Sequence, residues 1–339
     1  MDAYTFDTIA SDATRRGAGF RMNVTIVGAG ALGTILGAHL GAAGHDVTIV
    51  ARGQRAEDVT ENGLRVSGLV ELDHRCRVIE PDAATATDLL IYAVKTYHMA
   101  DATAALSGVS PKAVFSVANG VMKNEQLAAV HGDNAVLGCM ANFSGELLES
   151  GAVEFTRNVC LSSGSADCRA EPSSDTIARM IDDAGIHSEA AANIETVEWS
   201  KFVGWVALFS LSLIARTNTG PTLENPRFAV LGVRLIREMA HIAAARNIEL
   251  VDQSPVPVAA IASGPEATAI ERLRQVGRGL TVSAPGHRMS SLQDLEAGRT
   301  LEVEETLGYA VAEARRLEIA VPVLEVCCEF ASGLNSLPR

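Results

Sequence analysis

The feature that most constrains this chain is a glycine pattern in a defined setting: the apolar run Asn23-Val24-Thr25-Ile26-Val27 passes directly into Gly28-Ala29-Gly30-Ala31-Leu32-Gly33. Strand, tight turn and helix start in that order form a dinucleotide-binding fingerprint. Gly28 makes the turn, Gly30 lets the backbone approach a pyrophosphate, and Gly33 lets the helix pack on the strand. The pyrophosphate then lies at the positive end of the helix. Outside such a context the same glycines are only a structural turn.

Further short apolar runs, Asp46–Val50, Leu89–Val94 and Ala113–Val117, read as strands buried on both faces and alternate with helical patterns. Parallel βαβ units follow. Beyond about residue 160 the pattern passes, through Ala178–Gly185 and Glu189–Asn193, into long helical periodicity. The expected fold class is α/β: an N-terminal Rossmann-type domain over residues 22–192 and an all-helical domain over 193–339. Residues 1–21 form a flexible extension, with Met22 a candidate start of the folded unit. Helix breaks are expected at Gly220-Pro221, Asn225-Pro226, Ser254-Pro255 and Pro285-Gly286.

The second strand ends in Ala51-Arg52, where an NAD enzyme places a carboxylate for the ribose 2′-hydroxyl. Arg52, helped by Arg55, suits a 2′-phosphate instead, so NADPH is the expected cofactor. A solvated surface role fits Arg55 more readily than Arg52.

A length of 339 residues with 47% hydrophobic and 20% charged content is that of a globular chain. The net charge of -13 argues against nucleic acid or an anionic membrane as partner, and an anionic ligand then needs a local basic pocket. Six scattered cysteines form no C-x-x-C pair, and none of the eight histidines has metal-ligand spacing, so no metal site is expected. Asp2, Asp7 and Asp12 interrupt any secretory signal. Val203–Ala215 falls short of the roughly 20 residues of a membrane span and reads as a buried helix. A cytoplasmic location with reduced thiols fits these observations. Cys327-Cys328 pack within the last helix, His98 falls near the cofactor, and the apolar C-terminal domain is a candidate homodimer surface.

Only four of the 28 basic residues are lysines: Lys95, Lys112, Lys123 and Lys201. A partly buried lysine can give up a proton near neutral pH, which arginine cannot. Lys112 and Lys123, in polar surroundings, read as surface charges. Lys95 ends a strand at the ligand-binding edge of the sheet. Lys201 interrupts an apolar helix beginning near Thr196 and is the best general-acid candidate, the alternative being a snorkelling structural lysine.

These residues, with Ala51-Arg52-Gly53, Ala93-Val94-Lys95, Ala118-Asn119-Gly120, Glu198-Trp199-Ser200-Lys201, Ser290-Ser291-Leu292-Gln293-Asp294, Gly298-Arg299, Glu302 and Ile319-Ala320-Val321-Pro322, occur in an order that resembles the ketopantoate reductase family from Met22 almost to the end. The resemblance implies that NADPH and a 2-keto acid meet between the two domains, with reduction of 2-dehydropantoate to pantoate in pantothenate biosynthesis as the reaction. It makes Lys201 the catalytic lysine that protonates the carbonyl oxygen. It makes Asn119 the residue that orients lysine and substrate, although Asn-Gly is also a common turn pair. It makes Glu302 the partner of the substrate hydroxyl, Ser290 a neighbour of the carboxylate, and Arg52 with Lys95 the holders of the cofactor phosphate. Gly298 and Thr300 are expected to break and restart a helix, placing Glu302 in its first turn. By itself Glu302, beside Glu304 and Glu305, reads as part of an exposed acidic face.

Trp205 and Phe209 stand four and eight residues after Lys201, where the family often carries asparagines. Either they line the pocket and favour a bulkier carbonyl or an imine, or they face the helical core. A reductase of another C=O or C=N compound and a non-catalytic NADPH-binding protein are the alternative functions. The set Lys201, Asn119, Ser290 and Glu302 favours an enzyme, because cofactor binding alone does not need it.

Overall fold

A computed structural model of the chain describes residues 21–165, 172–253 and 255–337. The expected extension, apart from Arg21, lies outside the described residues. The first domain runs β1 (Asn23–Val27), α1 (Ala31–Ala42), β2 (Asp46–Val50), α2 (Gly53–Asn62), β3 (Leu64–Gly68), β4 (Leu72–His74), β5 (Arg77–Ile79), β6 (Thr87–Tyr92), α3 (Met99–Ala105), β7 (Pro111–Ser116), α4 (Met122–His131), β8 (Gly138–Leu147), β9 (Val153–Gly164), α5 (Ser174–Asp183) and β10 (Ser188–Ala190). Strands β5-β2-β1-β6-β7 make one parallel sheet, with Val24 opposite both Val47 and Leu89. Four of the five residues in β1 and in β2 are buried, as expected where helices cover both faces.

A second sheet, β10-β9-β3-β4, is extended by β8, which pairs antiparallel with β9. Residues 138–164 form a hairpin that extends the first domain past residue 160, where the shift to helix is expected from the apolar pattern. The hairpin is rich in Ser, Asn, Gly and Cys, and its middle is only partly buried, so its alternation is weak. Its stability comes from pairing and from α1, which packs against β3, β4, β8 and β9.

The helices of the second domain are α6 (Ile194–Ala215), α7 (Thr219–Glu224), α8 (Pro226–Ala245), α9 (Val258–Ser263), α10 (Glu266–Ser283), α11 (Ser290–Glu296), α12 (Tyr309–Arg316) and α13 (Pro322–Ser336). A single wide π turn, Glu304–Gly308, precedes α12. The Asn193 side chain accepts from Thr196 N at 3.2 Å and starts α6, while Arg216, with φ 49°, ends it. Helix α6 is buried along most of its length and anchors the core, flanked by α8, α11 and α13. It is long and apolar enough to cross a membrane, but a buried core helix meets the same description. The break at Asn225-Pro226 occurs as expected. Gly220-Pro221, by contrast, lies inside α7, in the first turn, where proline's missing N–H costs nothing. Cys327 and Cys328 are buried on α13.

Candidate active site

The glycine loop has the geometry a dinucleotide needs. Gly28 has φ +100°, and a Cβ there would lie 2.8 Å from the Ala93 carbonyl oxygen. A Cβ at Gly33 would lie 2.0 Å from the Gly28 oxygen, so helix and turn could not meet at this distance with any other residue. A Cβ at Gly30 would meet nothing closer than 4.0 Å, and Gly30 caps α1 without a side chain or an acidic first turn. The unpaired N–H groups of α1 therefore face a space fit for an anion. A cavity of about 510 Å³ opens there, walled by Gly28, Ala51, Arg52, Arg55, Val94 and His98.

Of the two arginines, Arg55 departs from the solvated surface role its sequence suggested, whereas Arg52 stays at the cavity. Arg55 is largely buried: its Nε donates to Ala29 O at 2.7 Å, Nη2 to Thr34 Oγ1 at 2.9 Å and Nη1 to Gly151 O at 2.8 Å, and it pairs with Asp58. It braces the glycine loop. Arg52 is exposed at the cavity wall and makes no hydrogen bond or ion pair among the described residues.

Lys95 is occupied elsewhere. Its Nζ lies 2.6 Å from Asp294 Oδ2 and 3.5 Å from Glu302 Oε2, and it does not border the Arg52 cavity, contrary to the expected phosphate role. Glu302 also accepts from Thr96 N at 3.0 Å and from Asn119 Nδ2 at 3.3 Å, and Arg299 donates to Asp294 at 2.7 Å. This cluster clasps the ends of β6 and β7 to the segment after α11. Burial pulls the Lys95 ammonium down, but the charges of Glu302 and Asp294 outweigh it and hold its pKa above the ordinary value.

The expected helix restart at Thr300 does not occur. Residues 299–303 are non-helical, and Glu302 precedes the π turn, where Thr306 Oγ1 donates to its carbonyl. Nor is Glu302 part of an exposed acidic face, being 4% exposed. Local acidic composition suggested solvent; packing against the first domain decided otherwise.

Lys201, on the inner face of α6, donates from Nζ to the Ala141 carbonyl of β8 at 2.6 Å. Burial, then the nearby Lys123 charge, push its pKa down to about 8. Lys123 is not the surface charge its polar neighbours suggested: it is 4% exposed and donates to Ala118 O at 2.9 Å and Cys139 O at 2.6 Å. Glu198 Oε1 stands 3.5 Å from it, one α-helical turn before Lys201. Lys112 is 65% exposed and pairs with Asp88, as a surface lysine does.

Lys201 and Trp205 border two spaces: a narrow cleft shared with Asn119 and Gly120, and a chamber of about 320 Å³. Both rings belong to the helical core and lie 4.8 Å apart, but Trp205 also forms part of the chamber wall, whereas Phe209, 1% exposed, does not reach it. Ser290 opens α11 but does not border the chamber; its neighbours Met289, at the wall, and Ser291, bonded to Ser212 at 2.8 Å, do the local work. The fold therefore gathers Lys201, Asn119 and Trp205, and links Glu302 to them through Asn119. Lys123, Glu198 and Arg157 were missed. The scarcity of lysine was a usable signal for Lys123; Arg157 carried none.

Residues 24–167 match the family model described as ketopantoate reductase PanE/ApbA, and residues 193–335 match the one for its C terminal domain. The 2-dehydropantoate 2-reductase of Archaeoglobus fulgidus is 31% identical over 315 residues, 92% of this chain and 98% of the relative. A PanE/ApbA family ketopantoate reductase from Ralstonia eutropha superposes with TM-score 0.77 at 24% identity, covering 92% of this chain and 98% of that one. D-mandelate dehydrogenase, solved with NADH and anilino(oxo)acetate, does so with TM-score 0.79 at 16% identity and the same coverages. The two structures share the fold of this chain. With both halves matched and a relative aligned from end to end, the chain belongs to the ketopantoate reductase family.

Proposed function

We propose that the protein reduces the carbonyl of a 2-keto acid to the 2-hydroxy acid with NADPH, the substrate being 2-dehydropantoate or a bulkier analogue. The observation that carries this reading is Lys201: an ammonium with a pKa near 8, bonded to a carbonyl rather than a carboxylate, at the mouth of a chamber. A ketone accepts hydride poorly until its oxygen is protonated or bonded to a cation, and a group with pKa near the working pH is suited to give that proton.

The open start of α1 and the adjoining cavity fit a dinucleotide, with Arg52 as the residue that would hold a 2′-phosphate. When bound, the reduced nicotinamide supplies hydride to the carbonyl carbon. Lys201 holds the carbonyl oxygen and delivers a proton to it. Asn119, fixed by Glu302, orients the substrate beside that lysine. Trp205 in the wall favours a substituent larger or more apolar than that of ketopantoate. The five free cysteines among the described residues fit a cytoplasmic enzyme.

The test is loss of nicotinamide absorbance from NADPH across a panel that sets 2-dehydropantoate against branched and aryl 2-keto acids. Turnover of at least one is expected. Tight NADPH binding with no substrate-dependent oxidation would overturn the reading in favour of a binding protein.

A further inference from the structure

Arg157, on β9, borders the same chamber as Lys201 and Trp205. Among the described residues its side chain makes no hydrogen bond or ion pair, although it is partly buried and burial lowers its pKa. A desolvated guanidinium without a counterion is unfavourable, and proteins keep such a group where a ligand supplies the anion. Among the described residues the chamber wall contains no Asp or Glu, but it holds Lys201, Arg157 and His287. Burial lowers the pKa of both Lys201 and His287, and the charge of Arg157 adds to that lowering at each. In a chain of net charge -13, this carboxylate-free basic wall is the local exception an anionic ligand requires. Leu208, Val256 and Met289 share the wall and offer apolar contact to the remainder of the molecule.

We propose that Arg157 binds the carboxylate of the substrate, so that the chamber selects an anionic carbonyl compound with a bulky apolar substituent. The proposal rests on the reductase reading for its substrate class. Lys201 takes the carbonyl oxygen and Arg157 the neighbouring carboxylate, whose two oxygens match the planar fork of a guanidinium. Arg157 replaces Ser290 in the role that the family resemblance assigned to that serine.

The experiment is calorimetric titration of the NADP-saturated protein with phenylglyoxylate, with 2-oxoisovalerate and with the methyl ester of each. In the wild type the acids bind tighter than the esters. In Arg157→Gln the acids weaken about 10- to 100-fold, the range of a lost charge-assisted hydrogen-bond pair, while the esters and NADP itself bind as before. Arg157→Lys recovers part of the preference. Equal weakening of acid and ester in Arg157→Gln, an unchanged acid affinity, or a wild type that binds neither acid would overturn the proposal. A wild type that binds the acids through Arg157 yet oxidises no NADPH removes the reductase reading alone.

Discussion

Two lysines, Lys95 after β6 and Lys201 on α6, have been pushed in opposite directions. Lys95 meets Asp294 and Glu302, and its proton is held more tightly than in water. Lys201 meets a backbone carbonyl, and burial, then the charges of Lys123 and Arg157, loosen its proton against the opposing pull of Glu302. Burial loosens the proton of both. At Lys95 two carboxylates in direct contact reverse that effect, whereas at Lys201 the charge of Lys123 adds to it. One arrangement makes a clasp between domains and the other a proton donor, although both residues attracted notice for the same reason, their rarity in an arginine-rich chain.

Replacing Lys201 tests the contrast most severely. Lys201→Ala is expected to lower kcat about 10²- to 10⁴-fold with NADPH affinity unchanged, measured by steady-state kinetics and cofactor titration. A fall of only a few-fold would return Lys201 to the status of a snorkelling structural residue.

Lys95→Met leaves the buried Glu302 without its cation, while Asp294 keeps Arg299, and is expected to reduce unfolding free energy by about 1–3 kcal/mol in urea titration, less than for a fully buried pair because Lys95 is partly solvated. Since its folded-state pKa lies above 10.5, the clasp stabilises fully below that pH and is lost as pH rises through the raised value. The same variant sharpens the cofactor assignment. Arg52→Ala is expected to raise KM for NADPH about 10-fold while sparing NADH, the size of one charged hydrogen bond, whereas Lys95→Met leaves the ratio of the two cofactors alone. If Lys95→Met erased that ratio, the phosphate role first expected for Lys95 would be restored.

The smallest effect is the most specific. Reduction uses the protonated form of Lys201, so kcat is expected to be flat at lower pH and to fall as pH rises through about 8. Lys123→Met removes a positive charge next to Lys201 and is expected to move that falling limb to higher pH. Structural damage alone would lower the plateau without moving the limb.

How much of this was readable in advance depended on how far apart the interacting residues lie. Strands β1, β2, β6 and β7 were placed within a few residues because a doubly buried strand is a continuous apolar run, visible locally. Asn225-Pro226 likewise announces a helix start by its own chemistry. The hairpin β8–β9 was not visible, and it supplies both the carbonyl that holds Lys201 and the arginine facing it. Trp205 and Phe209, one α-helical turn apart, were indistinguishable by period; only the packing of α6 put both in the core and brought the first alone to the chamber wall.

By itself the amino-acid order determined the dinucleotide loop, the division into a sheet domain and a helical one, and the candidacy of Lys201 and Asn119, because each rests on backbone geometry or residue chemistry within a short stretch. Tertiary structure alone decided the partners of the four lysines, the burial of Glu302 and the basic wall of the chamber. Those are electrostatic facts, and an electrostatic environment is the sum of charges and desolvation brought together from separate segments, those around Lys95 and Glu302 more than a hundred residues apart.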